Sequence, residues 1–328
     1  MKVIVIQNRM GIGDLIIFLP YIFSISQEYN MPVSLLVRKN ARAKELLKNN
    51  PHVSEIITLD RDDKNRTGRH QGVAGILNLI QDLRKRNFEI MESLLLKSLE
   101  DKAEIIVWPE VSVPSYLRTN VNDRLFFHNR IMDNNAFLIL GIPESRFING
   151  QRFSYNSAMI MLPDGSFDTY QKIFLVPFAE YVPFFKSWFD KMNQFDDMGS
   201  FTPGSEYKVF PVKDYNIATL ICYDSSNPKI VNKMVENGAD ILFIVTNDSY
   251  VGEFMPYQHF ELAKIRAIEQ RVPIIQSANN GISGIILPSG EVLYKSRLNE
   301  RVVHTHNVPI YDSLGWHFKN DYSGINLR

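Results

Sequence analysis

The apolar runs of this chain are short, and almost every one stops at a polar turn. "KVIVIQ" (2–7), "VSLLVR" (33–38), "VSEIITLD" (53–60), "NIATLICYD" (216–224), "ADILFIVTND" (239–248) and "VPIIQSANN" (272–280) set the pattern. Most lack the strict alternation of a half-exposed strand and fit strands covered on both faces. Helical segments fall between them: "ARAKELLKNN" (41–50), "VAGILNLIQDLRKRNF" (73–88) and "PYQHFELAKIRAIEQR" (256–271). That order predicts an α/β protein built on parallel or mixed sheets. No run approaches the ~20 apolar residues needed to cross a bilayer. The best, "LIIFLPYIFSI" (15–25), is short and holds Pro20. The N-terminus meets Gly and Asp too soon after its apolar run for a signal peptide, so the chain as written is expected to be soluble and cytoplasmic.

At 328 residues the chain is too long for one ordinary core and is expected to form two units. Residues 1–88 read as β-α-β-α-β-α, an incomplete Rossmann-like unit that is half of a doubly wound sheet. From Glu89 the texture changes. A helix "EIMESLLLKSLEDK" (89–102) leads to the strand "AEIIVWPE" (103–110), and "AFLILGIPE" (136–144), "SAMIMLPDGS" (157–166) and "KVFPV" (208–212) follow. A hairpin "GISGIILPSGEVLYKS" (281–296) closes the second unit, taken as residues 89–310. Residues 311–328 show little periodicity and are expected to be a loose tail. Lys plus Arg equals Asp plus Glu at 36 each, which leaves no electrostatic case for a nucleic-acid partner. The single cysteine, Cys222, excludes an internal disulfide.

Cys222 ends an apolar run and precedes a polar turn. A thiol at its ordinary pKa is only a few per cent thiolate at neutral pH, so a nucleophilic cysteine needs a base and a cationic or amide environment. Histidine is the usual partner, but His259, on the helical segment, reads as a surface or packed residue. Glu110, Lys172 and Cys222 share a different feature: each stands at or just past the end of an apolar strand, beside a Pro or a polar turn. Strand ends of a parallel or mixed sheet converge on one rim, where sites form. There a desolvated carboxylate can accept the thiol proton, and a lysine can stabilise a thiolate or an oxyanion. Singly, each residue also has an inert reading: a small buried hydrophobe, a strand cap, a solvated charge. Gly11 and Gly13 before a helix either cradle a phosphate or simply form a tight turn.

Together, "VWPE" (107–110), "YQKIFLVPFAEYVPF" (170–184) and "ICYD" (221–224) resemble, in order and spacing, the nitrilase superfamily with its Glu-Lys-Cys triad. The stretch from Thr246 to Val292 is similar to the apolipoprotein N-acyltransferases almost continuously, and the resemblance spans roughly residues 90–310. It implies a nitrilase-like α/β/β/α sandwich with Glu110 as general base, Lys172 as oxyanion and thiolate stabiliser, and Cys222 as the nucleophile that carries an acyl group as a thioester. Glu180 matches a second carboxylate beside the triad, and the Tyr223 backbone N–H would complete an oxyanion hole. Asp224 stands where the family usually has Glu, and Tyr250 where it has Trp. The resemblance implies a phospholipid acyl donor, a lipoprotein amine as acceptor and no metal or organic cofactor. It also implies an inner-membrane setting with the catalytic domain facing the periplasm. Phe184, Phe185, Trp188 and Phe189 would then touch acyl chains or the membrane surface; the same residues equally fit an aromatic-rich core segment.

Two further expectations concern the ends. "VIQNRMGIGDLIIFLP" (5–20) and "LLVRKNARAKELLKNNPHVSEIITLD" (35–60) resemble the opening of heptosyltransferase-type glycosyltransferases, with Asp14 where those enzymes keep a candidate base. The likeness stops near Phe88, and without the donor-binding half no sugar transfer is expected. The acyltransferase sandwich also lacks a recognisable first strand before Glu89, and "KVIVIQ" is expected to stay in its own unit rather than fill that place. Beside the acyltransferase reading stand a soluble amide or nitrile hydrolase using the same triad, and an inactive hybrid.

Overall fold

Each of these short apolar runs forms a strand in a computed structural model, which describes residues 4–7, 12–38, 41–60, 68–70, 72–177, 179–181, 201–248, 254–310 and 323–327. Two compact units result, Met1–Glu89 and Ile90–Arg328.

In the first unit, β1 (Ile4–Gln7), α1 (Ile12–Glu28), β2 (Val33–Arg38), α2 (Ala43–Leu46) and β3 (Val53–Leu59) follow one another. The three strands make a parallel sheet with β2 in the middle. Its core gathers Leu15 and Ile22 of α1 with Val33, Leu35 and Val37 of β2. β1 pairs with β2, so "KVIVIQ" stays within this Rossmann-like unit.

The next helix, α3 (Gly72–Glu100), runs through the point where the sequence texture changes. Sequence had divided it into two helices near Phe88. "KRNFEIME" (85–92) offers neither Gly nor Pro to stop a helix, so the turns continue.

The second unit begins with β4 (Ile105–Val107), α4 (Val121–Asp133), β5 (Phe137–Ile148), β6 (Gln151–Met161) and β7 (Phe167–Gln171). β8 (Phe210–Val212) and β9 (Tyr215–Ile221) lead into a 3-10 turn at Cys222–Ser226, followed by α5 (Pro228–Glu236), β10 (Ile241–Asn247) and α6 (Met255–Gln270). β11 (Ile274–Asn279), β12 (Gly284–Ile286), β13 (Val292–Lys295), β14 (His304–Val308) and β15 (Ser323–Leu327) complete it. Two six-stranded sheets form, in the orders β13-β12-β11-β10-β9-β8 and β14-β15-β4-β5-β6-β7. One core joins them: Ile105, Val107, Ile139 and Ile160 meet Ile217, Leu220, Phe243 and Ile275. The Ser277 hydroxyl donates to the Val107 carbonyl at 3.2 Å, from one sheet to the other. Phe260, Ala263 and Ala267 of α6, and Ile230, Val231 and Met234 of α5, pack into the same core. On the other sheet, Phe127 of α4 meets the Trp108 ring edge-on at 5.2 Å. Both faces of β9 and β10 are thus covered, which is why these strands read as continuous apolar runs.

The C-terminal residues depart from expectation. Ser323–Leu327 is no loose tail but a strand, parallel to β4 and antiparallel to β14. It supplies the pairing that β4 would otherwise lack. A ladder is made by backbone groups, so five residues with only Ile325 and Leu327 to mark them gave periodicity too little to register.

Candidate active site

Glu110 and Lys172 come together from two separate strand ends, and the charges of both reach Cys222 at a third. β4 runs out at Val107, and Glu110 follows two residues after the buried Trp108. The next residue, Val111, has a positive φ of 51°. A β-branched residue rarely takes that conformation, and here it turns the chain sharply once the carboxylate is in place. Glu110 is buried. Its Oε1 accepts from the Asn156 amide at 2.6 Å, and its Oε2 accepts the Asn247 N–H at 2.9 Å. Lys172 follows β7 directly. Its N–H donates to the Asn156 carbonyl and its carbonyl accepts the Gly204 N–H, each at 2.8 Å. Its Nζ lies 2.8 Å from Glu180 Oε2 and 4.0 Å from Glu110 Oε1. Cys222 ends β9 with φ 46°, opens the 3-10 turn and is partly buried. The charges of Glu110 and Lys172 both act on its sulfur.

The supporting residues fix these three. Glu180 ties down its own loop, because its Oε2 accepts the Val176 N–H at 2.7 Å while the same carboxylate grips Lys172. Asp224 is fully buried; its Oδ1 accepts the Phe174 N–H at 2.7 Å. Its Oδ2 accepts the Tyr170 hydroxyl at 2.9 Å and the Ile221 N–H at 3.2 Å. One carboxylate therefore joins the Lys172 loop to the Cys222 turn. The Tyr223 ring stacks on Phe174, 5.0 Å between centroids and 7° from parallel.

Electrostatics give the three groups distinct characters. Burial, and then the Glu110 charge, push the Cys222 thiol up to about 12, against the opposing pull of Lys172 and of the Thr246 hydroxyl. At neutral pH this favours the thiol over the thiolate. Burial raises the Glu110 carboxyl above the usual carboxylate range, with Lys172 and the Asn156 amide working the other way. Burial opposes the Lys172 charge, but Glu110, Cys222 and Glu180 outweigh it and hold the ammonium above its ordinary value. Asp224 is raised to about 6 by burial.

Sequence reasoning missed Asn156, whose amide bridges Glu110 and Glu180 at 2.6 and 2.8 Å. A lone Asn inside "RFSYNSAMIM" carries no motif; only the β6 register reveals it. His259, read as a surface or packed residue, is buried and 2.8 Å from Asp248. Phe184, Phe185, Trp188, Phe189, Tyr250 and Gly11 lie outside the described residues, as does the side chain of Asp14. Among the described residues no cluster of three His, Cys, Asp or Glu side chains could hold a metal ion, and no helix is long and apolar enough to cross a membrane.

Comparison with known proteins adds the following. The sequence pattern of the carbon-nitrogen hydrolase family matches residues 76–312. Apolipoprotein N-acyltransferase 2 of Treponema denticola is 32% identical over 248 residues, covering 69% of this chain and 46% of that protein. Apolipoprotein N-acyltransferase of Rickettsia typhi is 35% identical over 224 residues, covering 65% and 44%. The chain thus spans less than half the length of these relatives. Among solved structures, a carbon-nitrogen hydrolase from Helicobacter pylori G27 superposes with TM-score 0.53 at 18% identity, covering 74% of this chain and 84% of that one. An amidase of the nitrilase superfamily from Nesterenkonia AN1 gives 0.51 at 18%, covering 66% and 81%.

Proposed function

From the premise that this chain belongs to the carbon-nitrogen hydrolase family, we infer that it is a thiol-dependent N-acyltransferase, moving an acyl chain from a phospholipid ester through a Cys222 thioester to the terminal amine of a lipoprotein. One observation carries the reading: a partly buried thiol held protonated stands in the field of a buried carboxylate of raised pKa and an ammonium fixed by a second carboxylate. The similarity to apolipoprotein N-acyltransferases supports the choice of substrates.

This reading implies the following steps. Glu110 takes the proton from sulfur as the thiolate forms a bond to the ester carbonyl carbon. The resulting oxyanion faces the Lys172 ammonium and the backbone N–H of Tyr223. Collapse breaks the ester C–O bond, and Glu110 returns its proton to the departing alcohol. The acceptor amine then attacks the thioester and gives a proton to Glu110. When the C–S bond breaks, that proton returns to sulfur and the amide leaves. Glu180 carries no proton in this cycle; it keeps Lys172 in place.

The first unit, read on its own residues as a glycosyltransferase-type half-unit, is assigned no step. A second reading, hydrolysis of a small amide with water as acceptor, is favoured by the solved hydrolases that share the fold. Intact-mass detection of an acyl adduct on Cys222 separates the two. A phospholipid donor that leaves a long-chain adduct, absent in Cys222→Ala, supports transfer. Adducts from small amides alone support hydrolysis, and none with either donor retires both.

A further inference from the structure

Cys222 lies beside a second polar chain that the acyl-transfer steps leave unused. The pairing of β9 with β10 sets Ile221 against Val245, which brings Thr246 level with Cys222. Thr246 is fully buried, and its hydroxyl is near enough to the Cys222 sulfur to favour the thiolate. The Thr246 hydroxyl also donates to Asp248 Oδ1 at 3.1 Å, and His259 Nδ1 reaches the same oxygen at 2.8 Å. Asp248 and His259 are both buried. Asp248 Oδ2 and His259 Nε2 find no hydrogen-bond partner among the described residues. Gly281 closes over the carboxylate, since a Cβ there would lie 2.0 Å from Asp248 Oδ2. A buried carboxylate with one oxygen unpaired is costly to hold in place, and as a mere packing element it could be replaced by an apolar side chain.

We propose that Thr246 is a fourth catalytic group, a hydroxyl whose one proton serves the Asp248 carboxylate while sulfur is a thiol and turns to the sulfur once Glu110 has taken the thiol proton, with Asp248 and His259 as its positioning residues. No covalent bond to that proton breaks: the Thr246 O–H rotates from one acceptor to the other. A hydroxyl oxygen that donates to Asp248 can still accept the S–H of the resting thiol. Once sulfur is an anion it becomes the stronger acceptor, and a charge-assisted O–H···S bond forms. Asp248 Oδ1 then keeps the His259 Nδ1–H, so the carboxylate is not stranded when the hydroxyl leaves. The other charged groups acting on the sulfur are Glu110 beyond β4, Lys172 beyond β7 and Asp248 itself. None of the three is a neutral donor that can switch partners without moving a charge.

The inference rests on Cys222 being the nucleophile, and its test does not require acyl transfer. Because the chain has one cysteine, carboxamidomethylation by iodoacetamide reports Cys222 alone. Its rate is measured against pH in the wild-type chain, Thr246→Val, Thr246→Ser, His259→Asn and the Thr246→Val/His259→Asn double variant, with folding checked by circular dichroism. Thr246→Val is expected to react about tenfold to a hundredfold more slowly at neutral pH, with its profile displaced to higher pH. Thr246→Ser is expected to stay within about threefold of wild type. His259→Asn is expected to slow the wild-type background but add nothing in the Thr246→Val background, because its influence passes through the hydroxyl. Thr246→Val with the wild-type rate and profile overturns the proposal, as does an equal slowing by His259→Asn in both backgrounds. Failure of the acyl-adduct experiment alongside the expected alkylation series would refute the acyltransferase reading and leave the relay standing.

Discussion

Gly141 on β5 lies directly against the backbone of Glu110: a Cβ built on it would fall 2.4 Å from Glu110 Cα and 2.8 Å from the Val111 nitrogen. The Gly141 N–H also donates to the Pro109 carbonyl at 3.2 Å, so the two segments are pinned as well as crowded. What a methyl group would meet is backbone, which cannot rotate away. Gly141→Ala is expected to cost about 1–3 kcal/mol of stability and to displace the Glu110 carboxylate from Asn156 and the sulfur. Thermal unfolding checks the first effect, and the rate of acyl-adduct formation on Cys222 the second. Lost stability with an unchanged rate would show that Glu110 is not positioned from beneath.

The two carboxylates on Lys172 should separate by mutation. Glu110→Gln removes the group that takes the thiol proton and is expected to slow acylation by about 10²–10⁴. Glu180→Gln leaves the base in place but removes a negative charge that helps hold the Glu110 carboxyl up, and it frees Lys172 from its 2.8 Å partner. Both changes favour ionised Glu110. Acylation requires Glu110 as carboxylate, so the rate climbs with pH through its raised pKa. In Glu180→Gln that acid limb moves to lower pH, with a smaller loss of maximal rate. An acid limb that stays in place would remove Glu180 from the electrostatics of the base.

The placing of Glu110, Lys172 and Cys222 at strand ends was legible because each follows an apolar run. Asn156, Thr246 and Asp248 were not, for a different reason in each case. Asn156 is polar within a strand whose register with Glu110 no linear pattern discloses. Thr246 sits inside "LFIVTND", where it reads as one more β-branched strand residue. Asp248 reads as the turn that ends the strand. β15 escaped because pairing draws on N–H and C=O groups that every residue carries. Ending the chain at residue 322 is expected to expose the β4 edge, with a lower unfolding temperature and concentration-dependent aggregation by light scattering. Unchanged unfolding would mean that β15 adds nothing to the sheet.

Asp224 links the fold to pH. Its carboxyl is raised to about 6 by burial, against about 3.9 in an unfolded chain. Between these values the folded state binds the proton more tightly, so this group favours folding at the acid end. Its contribution shrinks as pH rises from about 4 to about 6 and is constant above that, a change on the order of 3 kcal/mol. Asp224→Asn cannot ionise, and its amide N–H₂ faces the Ile221 N–H, so it starts at a disadvantage of about 1–3 kcal/mol. Urea denaturation from pH 4 to 7 is expected to show the stability gap between wild type and variant narrowing as pH rises. A widening gap would mean that the hydrogen bonds from Phe174, Tyr170 and Ile221 overcome burial and keep Asp224 ionised.

Cys222 itself sits in a conformation that opposes its side chain. At φ 46° a Cβ crowds the backbone, which costs non-glycine residues about 1–2 kcal/mol. The turn that follows lets Asp224 Oδ2 accept the Ile221 N–H three residues back. Removing the sulfur separates strain from chemistry. Cys222→Ala keeps the Cβ and the strain, whereas Cys222→Gly relieves it, less the entropy that glycine adds to the unfolded chain. Glycine is therefore expected to be the more stable of the two by about 1 kcal/mol in urea denaturation, with no acyl adduct on either. Equal stabilities would mean that the left-handed turn carries no strain.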